Sequence, residues 1–427
     1  MTFLSLARCS AASPLIMATV WLAGQGTASG LGPPTKAPTT VVSHGMVHEK
    51  RLACLEKSAQ AGNAKAQFEL GLFFGRIGGG SARNIAAEIH WYRLAANKGY
   101  ARAENNLGYM YAAGEGVAQN YAKAAMLYRA AARQADSAAE LNLGHLYLAG
   151  HGVPRDYKSA MRWFRAAADG GNVRAQAAIG GLYLHGQGVI RNPAEAFRWY
   201  REAAEELDGA AEAELGYFYQ RGLGTKRNIS KAFHWYRWAA GQRNVAGEYN
   251  LACMYQRGCG VHRNYYKAAV WFHRAADQGF GPAEYNLGWL AKRGLGEIKD
   301  DQRAAFWFRK AAAAGDPVAM ASMADLYARG LGVPQSYVRA IKWYRKAAVQ
   351  HFGPAIFKIG IFYWSGFGVR RSTSRALAWW IVERADSPIG SRASLEAART
   401  IATAQKVMTE AQVRAARRLA GRILGRK

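Results

Sequence analysis

Apolar positions along the chain fall into two phased ladders. The first centres on a Leu-Gly pair and runs through Leu70, Leu107, Leu143, Ile179, Leu215, Leu251, Leu287, Met323 and Ile359, one step of 37 residues followed by seven of 36. The second is aromatic, Trp91, Trp163, Trp199, Trp235, Trp271, Trp307, Trp343 and Trp379, with Leu127 in the second copy. Two ladders sharing one period mark nine copies of one unit. In the third copy Asn142, Leu143 and Gly144 lie in a first helix that stops at Gly150-His151-Gly152, since glycine adopts the left-handed conformation that closes a helix. Asp156 is an N-cap, and Ala160, Trp163, Phe164 and Ala167 follow at i, i+3, i+4 and i+7, one buried stripe of a second helix. Gly170 and Gly171 close that helix and Asn172 caps the next; in the eighth copy Gly315-Asp316-Pro317 supplies stop, cap and first-turn proline. The pattern predicts an all-α chain of nine antiparallel helix pairs.

Glycine inside a helix is destabilising by about 1 kcal/mol relative to Ala, yet Gly108, Gly144, Gly180, Gly216, Gly288 and Gly360 all fall mid-helix. Close packing is the expected compensation, with the missing side chain admitting the Trp or Tyr of a neighbouring helix. The Trp ladder is therefore read as core and not as a ligand cage.

These residues resemble the Sel-1-like repeats, relatives of the tetratricopeptide repeats. The pattern stands in the second copy as Ala103, Glu104, Leu107, Gly108, Tyr111, Gly114-Glu115-Gly116-Val117, then Lys123, Ala124 and Tyr128. The first copy departs from it with an extra residue in the loop GRIGGGSARN, and the seventh with Ala291 for Tyr and Glu297 for Val. The resemblance implies a right-handed α-solenoid of antiparallel helix pairs. It also implies a binding scaffold of the kind that in bacteria is often periplasmic or secreted and serves envelope signalling, exopolysaccharide control or host contact.

The remaining sequence frames this array. Residues 1–28 read as a signal peptide, with Arg8 ahead of the apolar run 14–24 (PLIMATVWLAG) and cleavage expected after Ala28; that run is too short to span a bilayer. Residues 29–45, with Pro33, Pro34 and Pro38, read as an extended linker. Residues 46–62 align as a lone second helix capping the repeats at 63–386, with Cys54 in the Trp position. A C-terminal cap occupies 387–427 as two polar-faced helices and a basic tail, the second helix opened by a Thr409/Gln412 capping box. A periplasmic or secreted protein is expected, and the sequence sets no oligomeric state.

Charge narrows the partners. The net charge of +28 comes from 57 Lys plus Arg against 29 Asp plus Glu, a balance that favours anionic partners and is also what an Arg-rich composition produces without any ligand. Cys9 lacks the surroundings of a lipid-attachment cysteine. Cys54, Cys253 and Cys259 remain after cleavage, an odd number without metal spacing. Six residues are too many to bridge along a helix, so Cys253 and Cys259 are read as free thiols. His145, His151 and His185 lie in adjacent copies without carboxylate or Cys partners, so no metal and no cofactor is expected. SxxK, HExxH, GxSxG and the phosphate-binding loop are absent, which argues against an enzyme.

By the resemblance, the first helix of each pair lines a concave groove. One residue before the Leu anchor stand Asn106, Asn142, Asn250 and Asn286; two after it Tyr109, His145, Tyr217 and Trp289; six after it Arg221, Arg257, Arg293 and Arg329. Asn is expected to clamp an extended backbone, Arg to pair with carboxylate, phosphate or uronate, and the aromatics to anchor an interface. Equally, Arg before a terminal Gly complements the helix dipole, and Asn can bond an adjacent repeat. The reading is a non-enzymatic scaffold for a protein or peptide, acidic by preference. The alternatives are a β-lactam- or peptidoglycan-acting envelope protein, or a binder of anionic polysaccharide; nucleic acid is the less expected anion.

Overall fold

The computed structural model describes residues 45–77, 82–388 and 390–425. The leader, the linker up to residue 44 and the glycine-rich part of the first-copy loop lie outside them. Twenty-one helices and no strand occur among the described residues. The chain divides into two compact units, Met1–Gly247 and Glu248–Lys427.

In the first unit α1 (Gly45–Gln60) precedes five helix pairs: α2 (Ala64–Ile77) with α3 (Ala82–Ala96), α4 (Ala101–Ala113) with α5 (Tyr121–Ala132), α6 (Ser137–Ala149) with α7 (Tyr157–Asp169), α8 (Val173–His185) with α9 (Pro193–Glu205), and α10 (Gly209–Arg221) with α11 (Ile229–Gly241). Each helix packs on its predecessor and successor in chain order, which stacks the pairs into a solenoid segment. Helix α12 (Val245–Arg257) leads into the second unit, where α13 (Tyr265–Asp277) is followed by α14 (Gly281–Arg293) with α15 (Asp301–Ala313), α16 (Pro317–Arg329) with α17 (Tyr337–Val349), and α18 (Gly353–Ser365) with α19 (Thr373–Asp386). Both α20 (Arg392–Gln405) and α21 (Glu410–Ile423) pack on α19. Ser391 caps α20, and Thr409 with Gln412 forms a complete capping box on α21.

Local chemistry explains why each helix starts and stops. Asn120, Asp156, Asn192, Asn228, Asn264, Asp300, Ser336 and Ser372 cap successive second helices at the repeat step, each side chain accepting from a first-turn backbone N–H. First helices stop at a left-handed glycine such as Gly150, φ 77°. Gly152 has a second reason to be glycine: a Cβ there would run into the backbone at Tyr121 in the preceding repeat. Small residues let the helices close. Ala124, Ala160, Ala196, Ala232, Ala268, Ala304, Ala340 and Ala376 are fully buried at one repeat position.

The mid-helix glycines do admit an aromatic ring, but it is the residue after the ladder Trp. A Cβ on Gly144 would stand 2.5 Å from the Phe164 ring, on Gly216 2.6 Å from Tyr236 and on Gly288 2.7 Å from Phe308. Tyr92, Tyr128, Phe164, Tyr236, Phe272, Phe308 and Tyr344, each following a ladder position, are accordingly among the fully buried aromatics, which also include Phe218 on a first helix. The Trp side chains stand one step round the helix. Most are half-buried; Trp163 and Trp199 each pack on the core of the preceding repeat, and only Trp307 of the ladder is buried. They seal seams between repeats and do not form the centre of the core.

The cysteine reading also needs correction. Cys253 is a free thiol as expected, and so is Cys54, but Cys259 is disulfide-bonded and not free. Cys253 lies inside α12 and Cys259 beyond its end, so their separation rules out a bond to each other and leaves Cys259 able to bond elsewhere.

Candidate functional site

Positions one before, two after and six after the Leu anchor are related as i, i+3 and i+7, so they share one stripe on each first helix. In α14 the stripe is Asn286, Trp289 and Arg293, with the Arg293 guanidinium 4.7 Å from the centre of the Trp289 ring.

In the first unit this stripe is largely closed. Asn106 and Asn142 are fully buried. Asn142 Nδ2 donates to Asn105 Oδ1 at 3.0 Å across adjacent first helices, Asn105 Nδ2 donates to Asn106 Oδ1 at 3.3 Å, and Asn106 Nδ2 donates to the Tyr92 hydroxyl at 3.3 Å. These amides are engaged between repeats and present no surface to a ligand. Their position turns from the anchor toward the neighbouring first helix, where a polar group needs a partner. Tyr109 and Tyr217 are half-buried against the cores of their repeats. His145 stands edge-on to Phe164, 5.0 Å between ring centres, and its Nδ1 is buried without a hydrogen-bond partner among the described residues. Burial, and then the charge of Arg174, pull its pKa down to about 3, so the ring is neutral at physiological pH. Glu214 takes the Asn position in the fifth copy and burial raises its pKa to about 7; Arg221 ends α10 exposed.

In the second unit the stripe opens and turns basic. Asn250 is buried, while Asn286 is half-buried, donating to Pro282 O at 2.8 Å and accepting from Gln256 Nε2 at 3.4 Å. Arg257, Arg293 and Arg329 are exposed at the ends of α12, α14 and α16, and none forms an ion pair with a described residue. Cys253 stands in the aromatic row, its thiol pushed up to about 11 by burial and so neutral. Three residues escaped the sequence reading: Lys358 in the Asn row of the ninth copy, and Lys292 and Trp364 five after their anchors. Extending each row through every copy finds Lys358; the row beside the arginines finds the others. On these rows Asp325 is the single carboxylate, and its Oδ1 accepts the Tyr344 hydroxyl at 2.6 Å.

Other cations are committed to tyrosines, the arginines across repeat seams and the lysines within their own helix pair. Arg129 donates to the Tyr147 hydroxyl at 3.0 Å and Arg345 to that of Tyr363 at 2.7 Å, while Lys123, Lys231 and Lys267 cover the rings of Tyr111, Tyr219 and Tyr255. His151 stacks on Tyr121 at 4.6 Å. Among the described residues no three His, Cys, Asp or Glu side chains are grouped to hold a metal ion, and no helix is long and apolar enough to cross a membrane.

The Sel1 repeat model matches the chain at 64–100, 101–136, 137–172, 173–206, 209–244, 245–280, 281–316, 317–350 and 353–381. A Sel1 repeat protein from Oxalobacter formigenes is 31% identical over 75% of this chain and 96% of its own, with a TM-score of 0.54. A protective antigen present in uropathogenic Escherichia coli strains and displaying an SLR fold is 30% identical over 88% of this chain and 94% of its own, with a TM-score of 0.46. No curated protein matches the chain. Sel1 repeat proteins are generally protein-interaction scaffolds and generally non-catalytic. With nine matched segments covering most of its length, and a Sel1 repeat protein 31% identical over 75% of it, the chain belongs to the Sel1 repeat family.

Proposed function

We propose that this chain is an exported, non-enzymatic scaffold that holds a protein or peptide partner, acidic by preference, on the groove lined by its first helices, in bacterial envelope signalling or host contact. The observation that carries the reading is the stripe of α14 with its counterparts on α12 and α16. Exposed arginines that form no ion pair with a described residue recur there once per repeat, beside a half-buried Trp289. Exposed Arg beside an amphipathic aromatic is the composition of interface hot spots. Export is supported by the leader-like residues 1–28.

The test is capture of partners from envelope extract at low and high salt, using the wild-type chain and two variants. One carries Tyr109→Ala and Tyr217→Ala, the other Trp289→Ala, each checked by thermal unfolding. A protein retained at high salt by wild type and lost from either folded variant supports the scaffold. Recovery of polysaccharide alone, released by salt from all three forms, would contradict it.

A further inference from the structure

We propose that the outward face of the second helices in the second unit rests on an anionic lipid surface, with cations at the phosphates and apolar side chains among the acyl chains. The proposal goes beyond the scaffold reading and uses the other helix of each pair. Counted from Tyr266 on α13, Gln302 on α15 and Val338 on α17, the positions i, i+4, i+7, i+8 and i+11 form one outward stripe, repeated at the 36-residue step. Its exposed apolar members are Tyr266, Val270, Phe306, Val338 and Val349. Its exposed cations are Arg274, Arg309, Lys310, Lys342, Arg345 and Lys346, against Asp277 as the single carboxylate.

The three stripes belong to one surface. Helices α13 and α15 both pack on α14, and α15 and α17 both pack on α16. The His273 ring of α13 lies 5.2 Å from the Trp307 ring of α15, and its Nε2 is 3.3 Å from Arg303 Nη2. Most of the charge is uncommitted: Lys310 pairs with Glu284, but Arg274, Arg309, Lys342 and Lys346 form no ion pair with a described residue. Arg274 and Lys346 stand over the half-buried rings of Trp271 and Trp343, at 4.6 and 4.4 Å. The pattern is not a product of the repeat itself. On α9 the same stripe cancels its charges, Arg198 on Glu195 and Arg201 on Glu205.

Charge and apolarity together choose the occupant. A polysaccharide or nucleic acid answers the cations but leaves Val270, Val338 and Val349 in water. An anionic bilayer offers phosphates at its surface and hydrocarbon just beneath, and Lys and Arg reach the first from beside the second. Trp and Tyr rings next to cations suit that boundary, being apolar in body and polar at one edge.

Cosedimentation of the full chain with vesicles of phosphatidylcholine and phosphatidylglycerol in equal parts, and with vesicles of phosphatidylcholine alone, tests this. The apolar run 14–24 is common to every form and both vesicles. Each variant is first checked by thermal unfolding. Wild type is expected to prefer the anionic vesicles by about a hundredfold or more, and the variant Arg309→Gln, Lys342→Gln, Lys346→Gln to lose roughly a hundredfold, about fivefold per cation. The variant Phe306→Ser, Val338→Ser, Val349→Ser should bind those vesicles about tenfold more weakly and heparin as before. Arg257→Gln, Arg293→Gln and Arg329→Gln together, the same change in charge on first helices, should stay within about twofold of wild type. Equal binding to the two vesicles or equal loss in both charge variants overturns the proposal. So does full vesicle binding by the apolar variant, which would mark the face as a site for any polyanion. Capture of an acidic protein through these side chains without vesicle binding would assign the face to a protein and overturn it too. The scaffold reading is judged apart, by partner capture, which both second-helix variants should retain.

Discussion

At the residue scale, the repeat places glycine by two different rules, and each makes a prediction. Gly216 faces the Tyr236 ring, so Gly216→Ala should destabilise the first unit by about 1–3 kcal/mol through overpacking, against a helix-propensity gain of about 1 kcal/mol. A lower urea midpoint checks it; a raised midpoint would mean the ring moves aside freely. Leu207 presents the opposite case. It adopts φ 61° where Gly171, Gly279 and Gly315 stand in other copies, and its side chain is 71% exposed. Leu207→Gly should stabilise by about 1 kcal/mol by relieving left-handed strain, visible as a higher urea midpoint. The glycine pattern was legible in the sequence because it is periodic. Which aromatic fills the gap was not: Trp and the following Tyr or Phe differ by one step of helix rotation, and that rotation is set by the neighbouring repeats.

At the element scale, boundaries follow from caps readable in the sequence. Asn264 accepts from Lys267 N at 2.8 Å at the start of α13, and Asn264→Ala should lower stability by about 1 kcal/mol without changing binding. The first turn of α10 carries a less legible feature. Glu212 is 2% exposed and accepts from Gln242 Nε2 at 3.1 Å. Burial, reinforced by Asp208, raises its pKa to about 7 despite the opposing bond from Gln242. Because the folded value lies above the ordinary 4.5, the ionised form opposes folding, and stability rises as pH falls from about 8 through 7 toward the unfolded value. Glu212→Gln should raise the melting temperature at about pH 8 and flatten its pH dependence. An unchanged profile would show that Glu212 stays ionised without penalty. The same burial explains the amides: Asn106 and Asn142 fall on the stripe that sequence counting selected, but contact between first helices removes them from solvent. Spacing identifies a stripe; it does not say how deeply a neighbouring helix covers it.

At the scale of the whole molecule, the basic excess has more than one use. Part of it is structural, in arginines that bridge repeats through Tyr hydroxyls and lysines that cover Tyr rings within a helix pair. Another part stands exposed on the first helices of the second unit, where one Asp is the only carboxylate on the same rows. Net charge alone does not separate these roles; position does. The most direct measurement compares partner affinity for two folded variants carrying the same change in charge: Arg257, Arg293 and Arg329 to Gln on first helices, and Arg237, Arg309 and Lys342 to Gln on second helices. A loss of affinity confined to the first variant is the predicted result. Equal losses in both would show that charge acts without regard to place, and would contradict binding at the first-helix face.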